Sequence, residues 1–139
     1  MRVRRTSRHI THIYDRALEA VGLTINQFGV LANLYGVDLV RSEGLSIGAL
    51  SERLGADPTT LNRILKPLAA RGLVKDLTDP VDGRLRIVRI AEKGKREFLK
   101  AMPLWRRAQA RVEGALGQKA TSALNDLLDL SSNALSRIP

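Results

Sequence analysis

The sequence predicts a mainly α-helical chain that carries one small β-hairpin. Apolar residues recur at spacings of three and four along most of the chain, which is typical of helices with one buried face. The exception is residues 73–90, where β-branched and leucine residues flank a run of turn-forming residues, Asp79-Pro80-Val81-Asp82-Gly83. This order predicts helices, then a hairpin, then further helices.

The two helices before the hairpin are short and lie close together in the sequence. Ser46 is suited to cap the first helix, because a serine hydroxyl accepts a hydrogen bond from a free amide of the first turn. Gly55 is suited to end that helix, and Asp57 with Pro58 begins the next one almost at once. So short an interval forces a sharp crossing, as in a helix-turn-helix.

The second of these helices, predicted over residues 58–71, has one apolar and one polar face. Its apolar face is predicted to consist of Leu61, Ile64, Leu65, Leu68 and Ala69. Its polar face carries Thr59, Thr60, Asn62, Arg63 and Lys66. A recognition helix presents such residues to the major groove of DNA, where Asn can pair with adenine and Arg with guanine. An ordinary solvated helix would look the same, but the hairpin that follows favours the recognition helix.

The hairpin over residues 73–90 carries cations at and after its turn. Arg84 is predicted at the tip and Arg86 on the descending strand. Long cationic side chains suit the minor groove of DNA, whose negative potential attracts arginine. Alternatively, Arg84 forms salt bridges with Asp79 and Asp82 that only stiffen the loop. The two interpretations are compatible if Asp82 holds the tip while Arg84 reaches out to DNA.

Together, these elements predict a winged helix-turn-helix lobe over residues 24–90 that binds double-stranded DNA, with a recognition helix and a wing. The candidate DNA-binding residues are Ser46, Thr59, Thr60, Asn62, Arg63, Lys66, Arg84 and Arg86.

The segments on either side of this lobe, residues 2–22 and 91–139, predict long helices. The last of them, predicted over residues 119–135, is apolar over more than one stripe, and a chain of 139 residues has little else with which to cover it. We therefore expect one domain over residues 1–139 whose terminal helices pair with a second copy. A dimer would read a palindrome with half-sites about 10 base pairs apart.

Composition narrows the class of function. The net charge of +9 indicates a polyanionic partner, although a basic protein can also bind a membrane surface. No apolar run approaches the roughly 20 residues that span a bilayer, and no signal peptide is evident, so we expect a cytoplasmic protein without membrane contact.

The chain has no cysteine, and His9 with His12 would be too few ligands for a metal. No nucleophile elbow or phosphate-binding glycine loop occurs, so we expect neither an enzyme nor a bound cofactor.

The motifs resemble those of the MarR family of bacterial transcription regulators. The resemblance covers nearly the whole chain, and it rests on three runs: Gly22-Leu-Thr-Ile-Asn-Gln-Phe-Gly-Val-Leu31, Arg71-Gly-Leu-Val74, and Asp79-Pro-Val-Asp-Gly-Arg84 with Ile87-Val-Arg-Ile-Ala-Glu-Lys-Gly94. Two positions depart from the family pattern. Gly83 stands where arginine is frequent, and Ala91 stands where threonine usually caps the next helix.

The resemblance implies a homodimer that is most often a repressor and is released from DNA by a small aromatic or phenolic effector. It also implies that Leu45 adds a short strand to the wing, and that the effector lies in a cleft between the dimer helices and the lobe. Tyr14, Arg16 and Trp105 are the candidates to line this cleft.

The alternative is a basic protein that binds DNA without sequence preference, or a helical interaction module, in either case without an effector. Charge favours it mildly, because the excess of cations within residues 57–90 is small. The acids there are Asp57, Asp76, Asp79 and Asp82, and the cations are Arg63, Lys66, Arg71, Lys75, Arg84, Arg86 and Arg89.

Overall fold

The computed structural model describes residues 2–78, 81–82 and 84–139. The helices in this part of the chain are α1 (Arg2–Leu18), α2 (Ile25–Arg41), α3 (Ile47–Leu54), α4 (Pro58–Ala70), α5 (Glu92–Leu116) and α6 (Gln118–Leu135). The strands are β1 (Leu45–Ser46), β2 (Val74–Thr78) and β3 (Arg86–Ile90). The predicted mainly helical fold with a small β-wing is thereby confirmed.

The N-terminal helices begin and end at residues with a local physical cause. The hydroxyl of Thr24 accepts the Gln27 N–H at 3.2 Å, and the Gln27 side chain accepts the Thr24 N–H at 3.0 Å. This reciprocal cap starts α2, and the Asp15 carboxylate adds a third contact by accepting the Ile25 N–H at 2.7 Å. The first helix differs from prediction, because its last residues, Glu19–Val21, form a 3₁₀ turn instead of α-helix.

The helix-turn-helix follows the predicted caps. The Ser46 hydroxyl accepts the Ala49 N–H at 3.1 Å at the start of α3. Gly55, with φ of +61°, ends α3 in the left-handed region that glycine adopts without steric cost. Helix α4 ends at Ala70, one residue earlier than predicted, and Arg71 is its C-cap.

The three strands form one antiparallel sheet in the order β1-β3-β2. In the hairpin, Val74 pairs with Ile90 and Asp76 with Val88. Leu45 pairs with Val88 on the other side of β3, so the short strand implied by the family resemblance is present. Asp79, Pro80 and Gly83 lie outside the described residues, and the predicted turn chemistry of the wing tip stays a prediction.

The core is aliphatic in its centre and is continued by a column of aromatic rings. The side chains of Leu31, Leu34 and Leu61 are among those fully buried between α2, α4 and the sheet. The chain's two Phe, one Trp and two Tyr follow one another in the order Tyr14–Trp105–Phe28–Phe98–Tyr35, with centroid distances of 6.4, 5.7, 5.2 and 4.9 Å. The first two pairs are stacked, and the last two are tilted. This aromatic column joins α1 and α5 to α2, and so connects the terminal helices to the winged lobe.

Helix α6 stands apart from this core, since none of its residues is buried. Several of its apolar side chains are half or more exposed, among them Leu127, Leu128, Leu130 and Leu135. None of the helices in the described part of the chain has the length and apolar character needed to cross a membrane.

Candidate nucleic-acid interface

Helix α4 presents its polar face to solvent, as predicted. Leu61, Leu65 and Leu68 are buried against the core, while Thr59, Asn62, Arg63 and Lys66 are exposed. Ala69 corrects the predicted apolar face, because it is exposed and lines the groove between α4 and the wing. The helix therefore exposes an amide and two cations within its first three turns.

Thr60 is held by the cap of the same helix. Its N–H donates to Asp57 Oδ1 at 2.9 Å, and its hydroxyl donates to Asp57 Oδ2 at 2.7 Å. These two hydrogen bonds, the backbone one first, hold the pKa of Asp57 below its usual value. The hydroxyl proton of Thr60 is thus already used in a hydrogen bond to Asp57. In this arrangement the Thr60 hydroxyl can accept a hydrogen bond from DNA but cannot donate one.

Arg86 does not point away from the protein as a free wing cation. Its Nε donates to Asp76 Oδ1 at 3.2 Å, and its Nη2 bonds to Asp76 Oδ2 across the hairpin. Its Nη1 donates to Asn62 Oδ1 at 2.8 Å, which connects the wing to the recognition helix. The hydrogen bond to Asp76 raises the pKa of Arg86 further, so the guanidinium remains charged. Arg86 is therefore a tether, and a role in contacting DNA stays a prediction.

Arg84 is the exposed cation near the tip of the wing. Its backbone N–H donates to Asp82 Oδ1 at 3.0 Å, and its side chain is exposed. The predicted role of Asp82 in holding the turn thus takes the form of a hydrogen bond to the backbone at residue 84. This contact fixes the backbone at residue 84 and does not involve the charge of the Arg84 guanidinium.

Ser46 lies where β1 meets α3, and it is partly buried. Its oxygen caps α3, but its hydroxyl proton can still be donated, for example to a phosphate oxygen. The structure places Ser46 beside β3, where it pairs with Ile87. Its DNA contact stays a prediction.

Two residues that support this surface were not identified from the sequence. From the sequence, Asp76 was counted only as a charge, but it is the salt-bridge partner of Arg86. Side chains alternate between the two faces of paired strands, and this alternation could have placed Asp76 and Arg86 on the same face. Arg71 donates to the carbonyls of Gly22 at 2.6 Å and Val21 at 3.3 Å. It therefore anchors the end of α4 to the turn before α2.

The effector candidates lie at the junction of the terminal helices and the lobe. Tyr14 stacks on Trp105 and donates its hydroxyl proton to Gln109, whose Nε2 donates to Glu113 at 2.6 Å. Burial, and then the negative charge of Glu113, raise the pKa of Tyr14. Tyr14 and Trp105 are thus brought together as part of the packed aromatic column.

Arg16 is not brought to the same place. It is exposed, whereas Tyr14 is buried, because side chains two positions apart on a helix point about 160° away from each other. The single chain therefore does not bring Arg16 together with the two aromatic rings, and its role in lining a cleft stays a prediction. Within residues 2–78, 81–82 and 84–139, no three His, Asp or Glu side chains are grouped as a metal site requires.

Comparisons with known proteins agree with this geometry. The model of the MarR family matches residues 21–85, which include the helix-turn-helix and most of the wing. No curated protein sequence matches the chain at a significant level.

Solved structures match over nearly the full length. The transcriptional regulator MosR of M. tuberculosis, in complex with DNA, is 32% identical with a TM-score of 0.82, covering 98% of this chain and 96% of that one. A second MosR structure is 33% identical with a TM-score of 0.78, covering 96% and 93%. CouR from Rhodococcus jostii RHA1, bound to p-coumaroyl-CoA, is 21% identical with a TM-score of 0.73, covering 91% and 85%, which shows a common fold alone.

Proposed function

We propose that this chain, which belongs to the MarR family of DNA-binding transcription regulators, acts as a homodimer that binds a palindromic DNA site and represses transcription there. The observation that carries the proposal is the exposed row of Thr59, Asn62, Arg63 and Lys66 on α4, beside a wing with Arg84 near its tip. Such a helix fits the major groove, and such a wing fits the adjacent minor groove.

Arg63 and Lys66 have different roles in this proposal. An exposed Arg can donate two hydrogen bonds to the O6 and N7 of one guanine, which discriminates it from the other bases. A Lys on the same face is better suited to a phosphate, because its ammonium acts as a point charge. Arg63 would therefore set sequence preference, and Lys66 would mainly add affinity.

The second copy is argued from α6 and α1. Helix α6 buries none of its residues in the single chain. Among its apolar side chains, Leu127 and Leu130 expose 60% and 66% of their surface. Helix α1 has no acidic residue in its first turn, where Arg2, Arg4 and Arg5 lie. A second copy would cover the leucines, and its Asp126 and Asp129 would supply negative charge for these arginines. The terminal helices, residues 2–22 and 91–139, would then form the dimerisation region.

Repression would be steric, because a dimer on a promoter palindrome excludes polymerase. We propose further that a small aromatic or phenolic ligand releases the DNA. The support is the aromatic column, through which α1 and α5 contact α2. A ligand that packs better against one arrangement of Tyr14 and Trp105 would favour one spacing of the two lobes, which is a shift between two populated states.

The test is fluorescence anisotropy with duplexes selected from a random pool and with scrambled duplexes, at physiological salt. We expect a preference of about a thousandfold or more for the selected site. Arg63→Ala should weaken the selected site by about 1–3 kcal/mol and relax preference at one base pair. The matched control is Arg106→Ala, which removes an exposed cation on α5. Equal, salt-sensitive binding to all duplexes would instead indicate the non-specific alternative.

The dimer has its own test. Analytical ultracentrifugation should show a dimer for the native chain and a monomer for the Leu127→Asp/Leu130→Asp variant. Val40→Asp is the control, because Val40 is 79% exposed but lies on α2. A native chain that sediments as a monomer at micromolar concentration would refute the homodimer. Release of DNA by aromatic acids can then be followed in the same anisotropy assay.

A further inference from the structure

Asn62 is the one amide on the exposed face of α4, and its two ends are in different surroundings. An amide side chain has an acceptor oxygen and a donor NH₂ group. The atom 2.8 Å from Arg86 Nη1 must be the oxygen, because a guanidinium can only donate. The oxygen is therefore directed to the wing, and the NH₂ group is left for another partner.

Arg86 is itself held in place by the neighbouring strand. Two of its nitrogens bond to the two oxygens of Asp76, which is the bidentate geometry that best fixes a guanidinium. A groove of about 230 Å³ separates α4 from the wing. Its lining includes Asn62, Asp76 and Arg86, together with Leu65 and Val88. Arg86 crosses this groove, so the orientation of Asn62 is set by the wing and not by α4 alone.

We propose that Arg86 is a positioning residue that turns the Asn62 oxygen to the wing, so that Asn62 reads DNA through its NH₂ group and selects a base with an acceptor edge. This inference rests on the proposed function, since it concerns how the recognition helix reads a specific site. The base at the position that Asn62 contacts should be guanine, because its O6 and N7 are both acceptors, whereas adenine offers one acceptor, N7, beside the N6 donor.

The proposal differs from the pairing with adenine that the sequence suggested. That pairing needs both ends of the amide, because adenine offers an acceptor at N7 and a donor at N6. To form it, Asn62 would have to give up a hydrogen bond from a charged donor, and such bonds are about twice as strong as neutral ones. As long as Arg86 keeps the amide oxygen, adenine can accept only through N7, and it is therefore disfavoured relative to guanine.

The experiment compares base preference at the position that Asn62 reads. Selection with the native chain and with Asn62→Ala locates the base pair whose preference disappears. Anisotropy then measures affinity for the four base pairs at that position with the native chain, Arg86→Ala and Arg86→Lys. We expect the native chain to prefer guanine over adenine by about tenfold. Arg86→Ala should lose most of this preference, and Arg86→Lys, which keeps a charged donor, should retain part of it.

A second variant keeps the test decisive if Arg86→Ala does not fold. Asn62→Asp keeps an acceptor for Arg86 but has no donor, so it should lose the preference for guanine and gain relative affinity for cytosine, whose N4 donates. A native chain that selects adenine or thymine at this position, or a base preference that is the same in all variants, would overturn the inference alone. Equal binding of the native chain to every duplex would overturn the proposed function as well.

Discussion

The Nζ atom of Lys95 on α5 lies 2.6 Å from Oδ2 of Asp38, a carboxylate of α2 that is only 7% exposed. The other oxygen of Asp38 accepts from Arg89 Nε on β3 at 3.1 Å. Lys95 also pairs with Glu92 at 2.9 Å. One buried carboxylate thus ties together a helix of the lobe, the central strand of the sheet and the helix that leads to the C-terminus.

Because of these contacts, the stability of the chain should depend on pH at the acidic end. The hydrogen bond from Lys95, the largest cause, holds the pKa of Asp38 below its usual value. The stabilisation is therefore complete above the ordinary aspartate pKa of about 3.9, and it is lost as pH falls through the lower folded-state pKa.

The matching variant is Asp38→Asn, which removes the charge at every pH. We expect it to lower the free energy of unfolding at pH 7, and the difference from the native chain to shrink as pH falls below about 4. Denaturant titrations at several pH values measure this. Glu43→Gln, which removes an exposed carboxylate from the connector before β1, is the control. A difference that stays constant from pH 7 to the acidic end would contradict the role of Asp38.

Gly94 should be intolerant of any side chain. A Cβ atom there would lie 2.0 Å from the Leu73 carbonyl oxygen, which accepts the Ala91 N–H at 3.0 Å. Gly94→Ala should therefore cost about 1–3 kcal/mol, as overpacking does. Gly36→Ala is the matched control, because its Cβ would meet open space on helix α2, and it should stabilise by up to about 1 kcal/mol. Urea denaturation distinguishes the two, and equal effects would refute the close approach at Gly94.

Arg84 and Arg86 should differ in their contribution to the salt dependence of DNA binding. Arg84→Ala should reduce the slope of log affinity against log salt by about 1, as expected when one phosphate contact is lost. Arg86→Ala should reduce it less, because Asp76 already neutralises the Arg86 charge. Anisotropy titrations at four or more salt concentrations measure both slopes. Equal reductions would mean that Arg86 leaves Asp76 for a phosphate when DNA binds.

Trp105 should be important for stability because it lies between Tyr14 and Phe28 in the aromatic column. It is partly buried, so Trp105→Ala should cost about 2–3 kcal/mol, below the roughly 3–5 kcal/mol of a fully buried aromatic ring. Trp105→Phe keeps a ring in the column and should cost less than Trp105→Ala, because it leaves a smaller cavity. Thermal unfolding followed by circular dichroism checks this order, and a neutral Trp105→Ala would contradict the role of the column.

Much of the fold could be predicted from the sequence because its causes are local. Caps such as Thr24 with Gln27, or Asp57 with Thr60, act over three residues, so they are visible in the sequence before any tertiary contact is known. The apolar face of α4 and the hairpin are also periodic patterns. The exposed position of Asn62 and Arg63 followed directly from the same periodicity.

The tertiary structure decided which polar groups remain free for a partner. Arg84 and Arg86 are equivalent cations in the sequence, but only Arg86 comes within reach of Asp76 and of Asn62, which is 24 residues away. Likewise Asp38 and Arg89 meet across 51 residues. Such pairs depend on how helices and strands approach each other, which residue spacing along one element does not contain. The lobe and its exposed faces therefore follow from residue spacing along the chain, whereas the packing of α4 against the wing sets which atoms of those faces are available to DNA.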